Sequence, residues 1–223
     1  YVIETEDFDF GAGETLPEAG INSYPGGGFA GRGGLQGIDL RITGGAHSEY
    51  DRLTDPPVEI HHFPCDGDRG EKGSSWSPGD RRHWRFNSDD FVTVLSTPGD
   101  WLNYTRKLPS NSALGRWNVY LRAAGTGKSA VLQLDEVISG RGTDHQELRT
   151  IGRCTVPADP PESGLQYLSF LDGQGKPVTR ELSGSHTFRL TLVEGRCSAN
   201  YLVFSTPRRE STNRDVPVGY SLH

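Results

Sequence analysis

Methionine is absent from the 223 residues, and cysteine occurs only three times. Cysteines at 65, 154 and 197 cannot build a disulfide scaffold, and none stands in a C-x-x-C pair of the kind that holds zinc. One bridge is the most they allow. Cys154 and Cys197, flanking strands in the C-terminal half, are the expected pair, with two free buried thiols as an equal alternative. No apolar run approaches the length of a membrane-spanning helix, so no membrane insertion is expected. Tyr1 is not followed by the charged and apolar regions of a signal peptide, so the chain reads as a mature or excised fragment. A basic excess is also missing. The net charge of -6 argues against nucleic acid as a partner, because a phosphate-binding surface needs positive charge, and the cluster Arg81, Arg82, Arg85 does not reverse that balance.

Glycine and proline are plentiful, at 29 and 14, which implies a chain rich in turns. No segment carries a sustained helical period. Short alternating runs recur instead, at Val2 to Phe10, Ile38 to Ile42, Val58 to His61, Phe91 to Leu95, Trp101 to Leu108, Trp117 to Ala124 and Val131 to Val137. They continue at Gln146 to Val156, Leu165 to Leu171, Pro177 to Leu182, His186 to Val193 and Tyr201 to Ser205. Glycine turns separate many of them, and a hairpin is expected at Gly125-Thr126-Gly127, as is a short loop joining neighbouring strands between Leu108 and Arg116. This spacing predicts an all-β fold, an antiparallel β-sandwich of jelly-roll type. One domain is expected over 1–207, with a charged insertion at about 64–90 and a polar tail or linker at 208–223.

Two motifs are decoys. Gly125-Thr126-Gly127-Lys128-Ser129 resembles the end of a phosphate loop, but Arg122 stands where the first glycine belongs, and a strand follows instead of a helix. His61 and His62 are adjacent on a strand, so they point to opposite faces and cannot chelate one metal together. Glu4 and Glu6, in contrast, share one strand face. By themselves they are either a solvated face or oxygen ligands for a hard cation such as calcium.

The stretch Gly99-Asp100-Trp101-Leu102-Asn103-Tyr104-Thr105, with the run Asn118 to Ala124 after it, resembles the central strands of the family 6 and family 35 type carbohydrate-binding modules. In those modules a "G-[DE]-W-x-x-Y" strand precedes a "Y-x-v-x-x-R-x-A" strand. The resemblance runs from about Val2 to Pro207. It implies a structural calcium held by an opening E-x-E pair and an Asp or Asn before an aromatic in the closing strand, here Glu4, Glu6 and Asn200. It also implies a ligand cleft among loops at one end of the sandwich. Tyr167 matches one cleft aromatic, and Leu95 stands near the position where the other is often Tyr or Trp.

A sugar ring packs its C–H face on an aromatic side chain, with amides or carboxylates for its hydroxyls. The candidate platforms are Tyr167, Phe170, Phe91 and the insertion's Trp76 and Trp84, whereas Trp101 and Trp117 are expected in the core. No serine nucleophile elbow or zinc signature is present. Glycoside hydrolysis would need two carboxylates facing across a cleft, and Glu4 and Glu6 lie side by side on one strand. The function expected is therefore a non-catalytic module that binds a polysaccharide or oligosaccharide. It would belong to an extracellular or cell-surface protein and be covalently linked to other domains. The alternatives are a structural or adhesive β-domain and, less favoured, a polysaccharide-degrading enzyme domain.

Overall fold

The computed structural model describes residues 1–5, 8–15, 34–43, 59–63, 90–108, 115–158 and 165–207, with backbone alone for residues 4, 59–63 and 90–92. Among the described residues twelve strands form: β1 (Val2–Glu4), β2 (Leu40–Arg41), β3 (Glu59–Phe63), β4 (Asp90–Leu95), β5 (Trp101–Leu108) and β6 (Arg116–Gly125), then β7 (Ala130–Ser139), β8 (Glu147–Val156), β9 (Gln166–Ser169), β10 (Thr179–Glu181), β11 (Gly184–Glu194) and β12 (Cys197–Ser205). A seven-stranded sheet has the order β10-β6-β12-β4-β3, with β1 on β12 and β9 on β6; a five-stranded sheet runs β2-β5-β11-β7-β8. The ladders within each sheet are antiparallel. The described residues contain no helix, and the two-sheet sandwich matches the expected class.

The core is made by the period-2 pattern. Trp117, Val119, Leu121 and Ala123 of β6 point inward toward Phe188, Leu190 and Leu192 of β11, and all are buried. Phe188 and Phe204, one from each sheet, have ring centroids 4.9 Å apart and join the layers. Tyr104 reaches from the five-stranded sheet to donate its hydroxyl to Thr5 O at 2.9 Å, while Thr5 Oγ1 donates to Ala199 O at 2.7 Å. The N-terminal strand is thereby tied to the C-terminal one.

Several expectations change. β5 and β6 lie in opposite sheets, so the segment between them does not link paired neighbours. The turn at Gly125-Thr126-Gly127 likewise is not a hairpin: β6 and β7 belong to different sheets, and the chain crosses the sandwich there. Gly125 runs so close to Pro157 O that a Cβ would collide with it. Local turn chemistry does not separate a crossing from a hairpin, because both need a glycine. The opening strand also ends at Glu4 instead of continuing to Phe10. Cys154 and Cys197 are free thiols, both buried, in opposite sheets. Phe170 is fully buried in the core and presents no platform, and Leu95 is buried too. The insertion at 64–89 and the tail at 208–223 lie outside the described residues.

Candidate functional site

Three strands bring the site together on the outside of the seven-stranded sheet. Tyr167 of β9 pairs with Arg122 of β6, and Arg122 pairs with Tyr201 of β12. Residues directly opposite across a ladder point to the same face, so the three side chains form a row. Tyr167 is 57% exposed, the largest exposure among the large apolar and aromatic residues of the described set. Its hydroxyl shares a 2.5 Å hydrogen bond with that of Tyr201, and the two rings lie 6.1 Å apart at 57°. The Arg122 guanidinium carbon sits 5.3 Å from the centroid of Tyr201 and 6.0 Å from that of Tyr167. Arg122 itself is only 5% exposed. The guanidinium and the phenol pair therefore hold the Tyr167 ring outward in a defined orientation, with few rotamers to lose when a ligand stacks on it.

Asn200 owes its position to a bulge. Ala199 pairs with Ala123 and Tyr201 with Arg122, so Asn200 is the extra residue, and its buried side chain is aimed at Arg122. Arg122 Nη1 donates to Asn200 Oδ1 at 2.8 Å. The backbone of Glu4 pairs with Tyr201, and Thr5 N donates to Asn200 O at 2.8 Å, which brings the acidic end of β1 to the bulge. The side chain of Glu4, and the whole of Glu6, lie outside the described residues. Among the described residues no group of three or more His, Cys, Asp or Glu is placed to hold a metal. Tested against calcium, the amide oxygen of Asn200 is the right kind of donor. Its bond to a buried guanidinium is not, since a dication at Oδ1 would meet like charge.

Of the expected platforms, only Tyr167 is exposed in the described set. Phe91 lies on β4 opposite His62, with its side chain outside that set, as are Trp76 and Trp84 entirely. Buried Gln166 Nε2 has no hydrogen-bond partner among the described residues.

Trp101 is buried, at 8% exposure, yet it is not part of the core between the sheets. Leu102 and Tyr104 turn inward, so Trp101, Asn103 and Thr105 occupy the outer face of the five-stranded sheet. Arg189 lies over the indole at 3.6 Å. Arg189 Nε donates to Asn103 Oδ1 at 3.1 Å and Nη2 to Gln146 Oε1 at 2.6 Å, and Asn103 and Gln146 both donate to Ile38 O. Burial pushes the Arg189 pKa down to about 10, opposed by the Asp135 carboxylate, and the group stays charged at neutral pH. Beside this network Asp9 is buried against Thr105, which donates to it through both N and Oγ1 at 2.6 Å. The sequence pattern missed this face, because a strand-starting tryptophan reads as core; the polar residues at 103, 189 and 191, alternating with the apolar series, were the signal.

Fold and site together define an antiparallel two-sheet β-sandwich that offers an aromatic row on one outer face. No protein-family model and no curated protein sequence matches the chain. Among solved structures it is similar to family 6 carbohydrate-binding modules. One is the module from Cellvibrio mixtus lichenase 5A in complex with cellotriose, at 18% identity and TM-score 0.38, covering 54% of this chain and 80% of that one. Another is the β-1,3-glucan-binding module from Bacillus halodurans, at 14% identity and TM-score 0.42, covering 67% and 86%. A third is the C-terminal module of a marine laminarinase from Zobellia galactanivorans, at 14% and 0.41, covering 66% and 88%.

Proposed function

We propose that this chain is a non-catalytic carbohydrate-binding module of an extracellular or cell-surface protein, linked to other domains that it holds on a polysaccharide. One observation carries the reading: the Tyr167 ring is exposed, while its hydroxyl and one neighbouring cation are engaged in fixing it. A pyranose presents an apolar C–H face that such a ring receives with little ordering cost. The motifs from Gly99 to Thr105 and from Asn118 to Ala124 support the same reading. The experiment is a glycan array followed by calorimetry on the parent, Tyr167→Ala and Trp76→Ala. Loss of binding in Tyr167→Ala, with Trp76→Ala unchanged, is the expected result. Loss in Trp76→Ala alone moves the ligand to the insertion, and binding to no glycan favours a structural β-domain. Release of reducing ends or unsaturated sugars from any polysaccharide would end the non-catalytic reading.

A structural calcium at Glu4, Glu6 and Asn200 belongs to the proposal, supported by the meeting of β1 with the β12 bulge. An ion that binds only the folded state raises its stability by mass action, so calcium is expected to raise the melting temperature relative to chelator. Equal melting temperatures would leave the Arg122 guanidinium as the cation of that site.

A further inference from the structure

A second polar site lies where β7, β8 and β11 of the five-stranded sheet meet β10 and the start of β6. The β7–β8 hairpin, the start of β11 and Thr105 enclose a cavity of about 470 Å³ lined by Glu136, Arg141, Arg149, Ser185, His186 and Thr187 among others. A second cavity of about 370 Å³ shares Glu136 and Arg149 with it and adds Arg116, Arg180 and Glu181. The two form one groove, divided by the ion pair in which Arg149 Nη2 donates to Glu136 Oε2 at 2.5 Å. Gly140 keeps the hairpin tight at the rim: its φ is +73°, and a Cβ there would strike His145 O.

The charge of this groove opposes that of the chain. Four guanidinium groups, Arg116, Arg141, Arg149 and Arg180, face two carboxylates, Glu136 and Glu181, on a chain of net charge -6. Glu136 is buried and already committed. Burial pushes its carboxyl up, but the hydrogen bonds and charges of Arg149 and His186 outweigh burial and hold it below its usual value. His186 Nδ1 meets Glu136 Oε1 at 2.8 Å and Nε2 meets Ser183 O at 3.0 Å. Both ring nitrogens thus face oxygen atoms of the protein. The arginines are on the outside, Arg149 being 67% exposed, and Ile138, 52% exposed, adds an apolar wall to the first cavity.

We infer that this groove binds an acidic polysaccharide, one anionic substituent to each cavity, with Arg141 serving the first and Arg116 and Arg180 the second. A guanidinium matches a carboxylate or sulfate with paired N–H donors, while hydroxyls such as Ser185 serve neutral sugar groups. Arg116 and Arg122 are six residues apart on β6, about 20 Å at strand rise, so the groove is separate from the Tyr167 row. The inference takes the carrier of the charge, a glycan, from the function proposed above, but its site and its selectivity for anions are independent of that reading.

The test titrates the full chain by calorimetry with an oligogalacturonide, its methyl ester, a sulfated galactan oligosaccharide, a neutral cello-oligosaccharide and a single-stranded oligonucleotide. The parent is expected to prefer the oligogalacturonide or the sulfated oligosaccharide over the ester by about tenfold, the scale of one charge-assisted hydrogen bond. Whichever acid wins separates carboxylate from sulfate. The double variant Arg141→Gln, Arg180→Gln is expected to lose that preference, and Arg141→Lys, Arg180→Lys to keep part of it, with thermal melts confirming that both fold. Tyr167→Ala should keep the preference. Acid binding without any neutral-glycan binding would support the groove while removing the Tyr167 platform. Equal affinity for acid and ester, a preference untouched in the Gln variant, or tighter binding of the oligonucleotide would overturn the inference.

Discussion

The outer faces of the two sheets hold the same pair of groups in opposite order. On the five-stranded sheet Arg189 lies outside and covers Trp101; on the seven-stranded sheet Arg122 is buried and Tyr167 lies outside. A cation–π contact is favourable in either order, but only the outer member can meet a ligand. The acceptors decide which member that is. Asn103 and Gln146, on the outer side of their sheet, hold Arg189 across the indole, whereas Asn200, set by a bulge, draws Arg122 in beneath the phenol rings. One face is closed by its own polar network, and the other is left open.

The comparison predicts that the closed face carries stability and the open face carries binding. Trp101→Ala is expected to cost about 3–5 kcal/mol, as for a large buried aromatic, and Tyr167→Ala only about 1 kcal/mol, both read from urea denaturation. Equal losses would erase the distinction.

A pH titration of stability probes the closed face next. Burial pushes the Asp9 pKa from 3.8 up to about 6, against the hydrogen bonds from Thr105 and the charges of Arg106 and Arg141. The folded state then holds this proton more tightly than the unfolded chain does. Stability should accordingly fall as pH rises from about 4 to about 6, by on the order of 2–3 kcal/mol, and then level off. Asp9→Asn should flatten that slope; an unchanged slope would place the titrating group elsewhere.

Arg189→Ala removes two charge-assisted hydrogen bonds and uncovers Trp101. The expected cost is about 2 kcal/mol by denaturation, with a red shift in tryptophan emission as water reaches the indole. Tyr201→Phe is the smaller counterpart on the open face. It deletes one hydroxyl bond to Tyr167, for about 1 kcal/mol and roughly a fivefold loss of glycan affinity by calorimetry. A larger loss in Tyr201→Phe than in Tyr167→Ala would mean that Tyr201 itself meets the ligand.

The smallest effect is chemical silence. Burial pushes the Cys197 thiol up to about 12 and Cys154 further still, and Cys197 raises Cys154 again. Both should resist a thiol reagent in the native protein and appear only on unfolding. Native reactivity at either would contradict their burial.

Much of the sandwich was legible in the chain because alternation is a local property. Trp117, Val119, Leu121 and Ala123 announce an inward face regardless of their partners, whereas Tyr167 was one of several candidate aromatics and was singled out only by the resemblance to carbohydrate-binding modules. What alternation cannot carry is partnership. The crossing at Gly125 looked like a hairpin because glycine serves both, and Trp101 was taken for core because hydrophobicity does not say which face of a sheet a residue is on.

The sequence by itself determined the fold class, through a period of two, abundant turn residues and the absence of a helical period. Tyr167 and Asn200 were expected from the resemblance to carbohydrate-binding modules. Only the tertiary structure decided that Arg189 closes one aromatic while Arg122 leaves another open, and that arginines at 116, 141, 149 and 180 converge on one groove. Such arrangements depend on strand order and on a one-residue bulge at Asn200, which are properties of pairing between distant segments and leave no periodic trace in any one of them.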